Sequence, residues 1–426
     1  MPIVLFGCLI LFFAISVPIA VSMGMASAVA IWWEGGTPLL VLVQRSFTST
    51  DSFPLMAIPF FVFAGTLMEF GGISRRLVNL ANALTGHLPG GLGLVTIVTS
   101  MFFAAISGSS AAATAALGSI LIPAMISRGY HKNFTGALQA TSGELGVIIP
   151  PSIPLILYGV AAETSIGDLF MAGLIPGIMI GLSLMIAVYI IAKRKGYARE
   201  KRKTPAEVWQ AFKESFWAVL MPIIILGGIY GGIFTPTEAA GVAVAYAFIV
   251  GVFVYKEIKF SKLINILTQS TITTSVIMFI IASAGLFSWI MTREGIPQAV
   301  AGFFVNISDN PIVFLLLVNV FLLIVGMFME SNASIIILAP LLAPVAAEFG
   351  IDPTHFGIIM IVNLAIGMCT PPLGINLFIS AQIAKIRLDQ ITRGMVPFYI
   401  VLIIDLMLIT YLPQLSMFLP NLLGGK

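Results

Sequence analysis

The chain has 426 residues, of which 59% are hydrophobic and only 9% are charged, and its mean hydropathy is +1.06. A soluble domain carries about a quarter charged residues, so this composition excludes a water-soluble globular protein. It specifies a polytopic membrane protein with room for about ten spans of roughly 20 residues each.

The apolar start, Ile3 to Trp33, has no basic leader and no cleavage signature, so it reads as retained helix. Residues 3–18 and 20–33 form one span and a shorter second one, divided at Pro18. Thr37 to Asp51 is semi-polar and is placed at an interface. Pro54 to Phe70 is the next span, closed by Gly71-Gly72. From Ile73 to His87, Leu77, Leu80, Ala81 and Leu84 alternate at helical spacing with Arg75, Arg76, Asn79 and Asn82. That pattern predicts an amphipathic arm lying in the membrane plane.

Two apolar runs follow, Gly90 to Ile106 and Ala111 to Ser127, separated by Ser107-Gly108-Ser109-Ser110. Small polar residues at that place read as the tip of a re-entrant hairpin. Asn133 to Ala162 is then interrupted by Pro150-Pro151, and Leu169 to Ala192 is a span. Adjacent prolines remove two backbone donors and clash with the preceding turn, so the helix breaks there. Broken backbone at membrane depth is tolerated only inside protein or along a wet cavity. Lys193 to Lys203 holds seven basic residues and divides the chain in two.

The second half repeats the plan. Spans run from Phe216 to Phe234, Glu238 to Tyr255 and Thr271 to Met291, and a second arm covers Ile296 to Ile307. A second hairpin runs from Pro311 to Ala347 with its tip at Met329-Glu330-Ser331-Asn332. His355 to Ala384 is broken at Pro371-Pro372, and Met395 to Leu412 is the last span. At a single offset of 221 residues Ser110 meets Ser331, Gly146 meets Gly367, the proline pairs coincide, and Pro176 meets Pro397. The matches fall on residues that dictate backbone shape, as a duplicated fold would retain.

Placing the 193–203 loop in the cytoplasm and letting neither hairpin cross puts 18 of the 21 Lys and Arg inside; Arg45, Arg293 and Lys426 fall outside. The second hairpin then enters from the side opposite to the first, and both termini fall in the periplasm. The fold class expected is therefore an all-α polytopic membrane protein of inverted-topology repeats, with two re-entrant hairpins and two broken helices. This is the layout of many secondary transporters.

The hairpin tips and proline breaks are four unwound places. Half-helix N-termini suit a carboxylate, and freed carbonyls suit a monovalent cation. Hydroxyls of Ser107, Ser109, Ser110, Ser152, Ser331 and Thr370, with the amides of Asn332 and Asn376, can complete such sites. Any one of these serines can equally serve close helix packing. Glu144 and Glu330 are ionisable at membrane depth, which points to function. Glu144 reads equally as a coupling carboxylate or a helix-packing acid. Asp405 reads as structural and Glu238 as a helix-start acid. Cys8 and Cys369 read as small buried hydrophobes.

Other chemistry has little support. No phosphate-loop motif is present, and no His/Cys cluster suggests a transition metal. His87, His131 and His355 fall at predicted membrane edges, away from both serine tips, so the chain does not read as an enzyme. Nothing points to nucleic acid. A stand-alone sodium/organic-anion symporter or an ion channel remains as the alternative reading.

Several stretches resemble a known family. Asp51-Ser52-Phe53-Pro54-Leu55-Met56-Ala57-Ile58-Pro59-Phe60-Phe61, Ser107-Gly108-Ser109-Ser110-Ala111 and Ile149-Pro150-Pro151-Ser152 are similar to the large membrane subunit of tripartite ATP-independent periplasmic (TRAP) transporters. Phe234-Thr235-Pro236-Thr237-Glu238-Ala239-Ala240 and Cys369-Thr370-Pro371-Pro372-Leu373-Gly374 fit the same pattern, and the resemblance covers nearly the whole chain.

The resemblance implies a bacterial inner-membrane protein working with a small four-helix membrane subunit, here a separate polypeptide, and a soluble periplasmic substrate-binding protein. Together they import an organic acid, such as a sialic acid or a C4-dicarboxylate, driven by Na+. It also implies an ion-transporter-superfamily elevator. The first repeat, 1–203, would comprise scaffold 1–89, transport segment 90–168 and a linking span 169–192. The second, 204–426, would comprise scaffold 216–309, transport segment 310–390 and the last span 395–412.

By the same resemblance one sodium site uses Ser107, Ser110, Gly146, Ile149 and Pro150. The other uses Gly326, Met329, Gly367 and Thr370. The substrate sits between the tips, reached by Ser109, Ser152, Asn332 and Asn376. No arginine lies in the predicted core, so amides and helix dipoles would meet the carboxylate.

Overall fold

The structure is a computed structural model describing residues 1–197, 199–307 and 309–423; Ala198 in the basic loop and Lys426 lie outside the described residues. The first repeat runs α1 (Pro2–Ala14), α2 (Ile19–Glu34), α3 (Leu40–Thr50), α4 (Ala57–Phe70), α5 (Ile73–Thr85), α6 (Gly91–Ser107) and α7 (Ser110–Ser127). It continues with α8 (Lys132–Gly143), α9 (Leu145–Ile148), α10 (Ile153–Ala161) and α11 (Ile166–Lys195). The second runs α12 (Pro205–Tyr230), α13 (Pro236–Ile249), α14 (Phe260–Arg293), α15 (Ile296–Ile307), α16 (Pro311–Phe328) and α17 (Ser331–Glu348). It ends with α18 (Pro353–Gly367), α19 (Ile375–Ala384), α20 (Leu388–Tyr411) and α21 (Gln414–Leu423).

Local chemistry sets these boundaries. Thr204 and Thr235 each form a capping box with the glutamate three residues on, with proline at the first helical position. The tip of the first hairpin turns at Gly108, whose φ of +60° suits a residue without Cβ, and Ser109 then caps α7. The peptides Pro150–Pro151 and Pro371–Pro372 are both cis. Helices α8 and α9 meet α10 across the first break at 45°.

The 221-residue offset holds for elements as well as residues: α6, α7, α8 and α10 map onto α16, α17, α18 and α19 within one or two residues at their starts. The copies are interleaved. Helix α4 packs on α13 while α14 packs on α2; α10 packs on the second hairpin's α17 while α19 packs on the first hairpin's α7. Each repeat therefore completes the other's core.

Several expected boundaries move. Helices α12 and α14 begin about eleven residues earlier than hydropathy suggested, because amphipathic turns precede their membrane-level parts. The semi-polar stretch 37–51 contains α3, which packs along α14. Its polar residues turn back on the helix, as Ser49 Oγ does by donating to the Arg45 carbonyl at 2.6 Å. Helix α21 was not expected at all.

Among the described residues nine helices are long and apolar enough to cross a membrane, and the bent pair 132–161 makes a tenth. Three of the nine are hairpin legs, α7, α16 and α17. Length alone does not separate a crossing leg from a re-entrant one; the contacts of the tips do.

Candidate functional site

Helix α6 and the run from α8 through α9 have matching lengths, each about 26 Å at 1.5 Å per residue. The first tip and the first break consequently reach the same depth. They touch through backbone. A Cβ at Gly146 would lie 2.7 Å from the Ser109 carbonyl oxygen, and one at Gly108 would lie 3.0 Å from the Pro151 carbonyl oxygen. The Ile153 amide donates to the Gly108 carbonyl at 3.3 Å.

The second tip meets the second break in the same manner. A Cβ at Gly367 would lie 2.5 Å from the Gly326 backbone, and the Leu373 amide donates to the Met327 carbonyl at 3.2 Å. Neither hairpin lies against lipid alone; each is seated on its own repeat's proline break.

The prolines leave carbonyls to be satisfied. Val147 would have bonded the amide of Pro151, and Ser152 Oγ donates to it instead at 2.5 Å. At the equivalent place in the second repeat, the Asn376 amide donates to the Met368 carbonyl at 3.1 Å. Gly146 would have bonded Pro150, and among the described residues no donor reaches its carbonyl. Gly367 differs, because the Thr370 amide takes its carbonyl at 2.9 Å. The freed groups are thus divided between internal bonds and one open oxygen.

The proposed residues fall into three groups. Ser107, Ser109, Ser110, Gly146, Ile149, Pro150 and Ser152 are brought together at the first tip and break, and all but the half-buried Ser109 are buried. Gly326, Met329, Gly367, Thr370, Glu330 and Asn332 are brought together at the second, where Met329, Glu330, Asn332 and Thr370 are half-buried and Leu373 is exposed. Asn376 belongs to both. Its Nδ2 donates to Ser110 Oγ at 2.6 Å and to the Ala140 carbonyl at 3.3 Å, although it starts the helix after the second break.

Individual roles follow. Glu330 caps α17: its carboxylate accepts from the Asn332 amide at 3.1 Å and from Asn332 Nδ2 at 2.6 Å. Thr370 Oγ1 donates to its own helix at Ile366. Glu144 is fully buried at the α8–α9 junction, with the Cys369 thiol beside its carboxyl. Asp405 receives a hydrogen bond from Ser183 at 2.9 Å, which supports a structural role, and Glu238 caps α13.

The sequence reading missed part of the polar core. Cys369 is not only a small hydrophobe, since its thiol donates to the Ala140 carbonyl at 3.1 Å, and Tyr399 holds the Cys369 carbonyl at 2.8 Å. Thr114, Gln139, Ser142, Asn376 and Ser380 each bury a side-chain polar atom with no partner around the α7, α8 and α19 packing. One signal was available: at the 221 offset Ser142 meets Asn363, a polar residue at the same turn of both broken helices. His355, in the first turn of α18, is buried, with Nδ1 2.7 Å from Ser416 Oγ. That serine lies in α21, away from both tips.

Known proteins are similar to this chain in sequence and in fold. The family described as tripartite ATP-independent periplasmic transporter, DctM component, matches residues 6–415. A C4-dicarboxylate TRAP transporter large permease protein of Rhodobacter capsulatus is 40% identical over 99% of both chains. A sialic acid TRAP transporter large permease protein of Vibrio cholerae is 41% identical, covering 99% of this chain and 98% of its own. An isethionate TRAP transporter permease protein of Oleidesulfovibrio alaskensis is 46% identical over 97% of this chain, which spans 66% of that longer protein. Among solved structures, the YdaH transporter of Alcanivorax borkumensis superposes with a TM-score of 0.59 at 15% identity over 87% of this chain and 86% of its own, a likeness of fold. The two hairpins seated on two proline breaks therefore belong to a transporter permease and not to an enzyme, and the chain is a member of the DctM family, the large permease component of TRAP transporters.

Proposed function

We propose that this permease imports a carboxylate-bearing organic acid of the sialic acid or C4-dicarboxylate type, coupled to sodium. The observation that carries the reading is the pair of tip-on-break contacts, one in each of two interleaved repeats. Each offers neutral oxygens from backbone and hydroxyls, which suit a hard monovalent cation without burying a full opposing charge. Buried carboxylates are few and arginine is lacking at the tips, so amides and helix N-termini would receive the solute.

Transport would proceed by an elevator movement. The segment 90–168 with 310–390 would slide as a body against a scaffold of 1–89 with 216–309, linked by the spans 169–192 and 395–412. A small four-helix membrane subunit would enlarge the scaffold, and a soluble periplasmic binding protein would deliver the solute. The relatives' names support a substrate that is an organic anion.

Reconstitution of the purified chain with its small subunit in liposomes tests this. Labelled sialic acid, succinate and isethionate are offered with and without the binding protein under an inward Na+ or K+ gradient. Uptake of a carboxylate that needs both the binding protein and Na+ is expected. Flux without the binding protein points instead to a stand-alone symporter or channel, and equal uptake with K+ removes the sodium coupling.

A further inference from the structure

At the basic end of the bundle a cavity of about 740 Å³ opens between the start of α8, the end of α11 and the start of α20. Lys132, Arg194, Lys195 and Arg393 line it, with His131 beside them, and no acidic residue does. Among the described residues none of these four cations lies within ion-pair distance of a carboxylate, although Arg128 and Arg387 nearby each find one. Three helices thus converge four uncompensated positive charges on one opening.

The walls are otherwise apolar or backbone. Phe134, Ile191 and Pro397 complete them, and Gly394 lets α20 meet the Asn133 carbonyl directly, so the floor is close-packed. Away from the basic end the same two helices continue with exposed Ile186 and Ile190 on α11 and exposed Val396 and Ile400 on α20. A charged recess therefore adjoins an apolar track one turn deeper.

The repeat sharpens the point. In the second copy the equivalent helix, α18, begins at Asp352, whose carboxylate caps the Thr354 and His355 amides at 2.8 and 3.2 Å. In the first copy the position holds His131, which makes no side-chain cap, followed by Lys132. A cation in a first helical turn opposes the helix dipole. The first copy thus lacks the internal anion that caps the second, and carries a lysine where the second has Pro353.

We propose that this recess binds the phosphate headgroup of an anionic phospholipid, with an acyl chain along the α11–α20 track. Basic pockets between membrane helices at the cytoplasmic surface match such headgroups, and a soluble anion would have no use for the apolar continuation.

The test uses the full chain in detergent, with its thermal midpoint followed during titration with phosphatidylglycerol or phosphatidylcholine. Phosphatidylglycerol is expected to raise the midpoint. The triple variant Arg194→Gln, Lys195→Gln, Arg393→Gln should require about a hundredfold more of it. A charge-matched variant outside the recess, Arg199→Gln, Lys201→Gln, Lys213→Gln, should respond as the parent does. Should the triple variant fail to fold, Arg393→Gln alone, read by co-purified phosphatidylglycerol, carries the same comparison. Equal loss in both triple variants, an unchanged response in the recess variant, or the same protection from inorganic phosphate alone overturns the proposal.

Discussion

Replacing Gly146 by alanine places a methyl group where the first hairpin tip rests. The added Cβ would stand 2.7 Å from the Ser109 carbonyl oxygen, 3.0 Å from its carbon and 3.2 Å from the Ser110 Cα, all of them backbone. Ordinary contact begins near 3.4 Å, so tip and break must part by about 0.7 Å. Overpacking of this kind costs about 1–3 kcal/mol. If that strain is released by lifting the tip, it is subtracted from cation binding. The sodium concentration for half-maximal uptake should then rise between about fivefold and about 150-fold. The assay is sodium-dependent uptake in proteoliposomes, with Gly241→Ala as the control, since its added Cβ meets nothing within 4 Å. A Gly146→Ala protein that reconstitutes with the parent's sodium dependence would refute the placement of a cation site between tip and break.

Two further outcomes follow from the same geometry. Glu330→Ala removes the acceptor that caps α17 and should lower stability by about 0.5–2 kcal/mol. Glu330→Gln keeps an acceptor oxygen and should recover most of the loss; equal thermal midpoints for parent and alanine variant would contradict the cap. Glu144→Gln keeps the shape of a fully buried side chain whose carboxyl lies beside the Cys369 thiol, and leaves no ionisable group to desolvate. Its thermal midpoint should match or exceed the parent's, and a clear drop would mean that the carboxyl's contact with Cys369 outweighs the cost of burying it.

The parts of the fold legible in the sequence were those governed by local backbone chemistry. Pro150-Pro151 and Pro371-Pro372 cannot donate, so both breaks were visible, and the small residues Ser107 to Ser110 marked a turn inside an apolar run. Boundaries failed where hydropathy was asked to report helicity. Residues 205–215 are amphipathic and lie beyond the apolar window, yet the Thr204 capping box starts a continuous helix there. Helix α21 was obscured by Pro413, which reads as a stop but here precedes another turn of helix. In the candidate site, the sequence supplied the residue types but not their pairing. Nothing within a single stretch tells that the Val147 carbonyl is closed by Ser152, or that Cys369 reaches the Ala140 carbonyl.

The contact between Ser110 and Asn376 shows most plainly why pairing escapes sequence reasoning, and it can be measured. The residues are 266 apart, one at the first hairpin tip and the other after the second break, joined at 2.6 Å with both side chains buried. This bond arises because α19 packs on α7 and not on its own repeat's hairpin. If each repeat formed a self-contained site, Ser110→Ala and Asn376→Ala would act independently. An interleaved core predicts otherwise: either truncation leaves the other polar group buried and short of a partner, at about 1–3 kcal/mol. The double variant should then be less destabilised than the sum of the singles, with a coupling of about 0.5–3 kcal/mol. Sodium affinity should follow the same cycle, since Ser110 belongs to the first tip and Asn376 borders the second break. Strict additivity in both readouts would mean that the bridge transmits nothing between the two repeats.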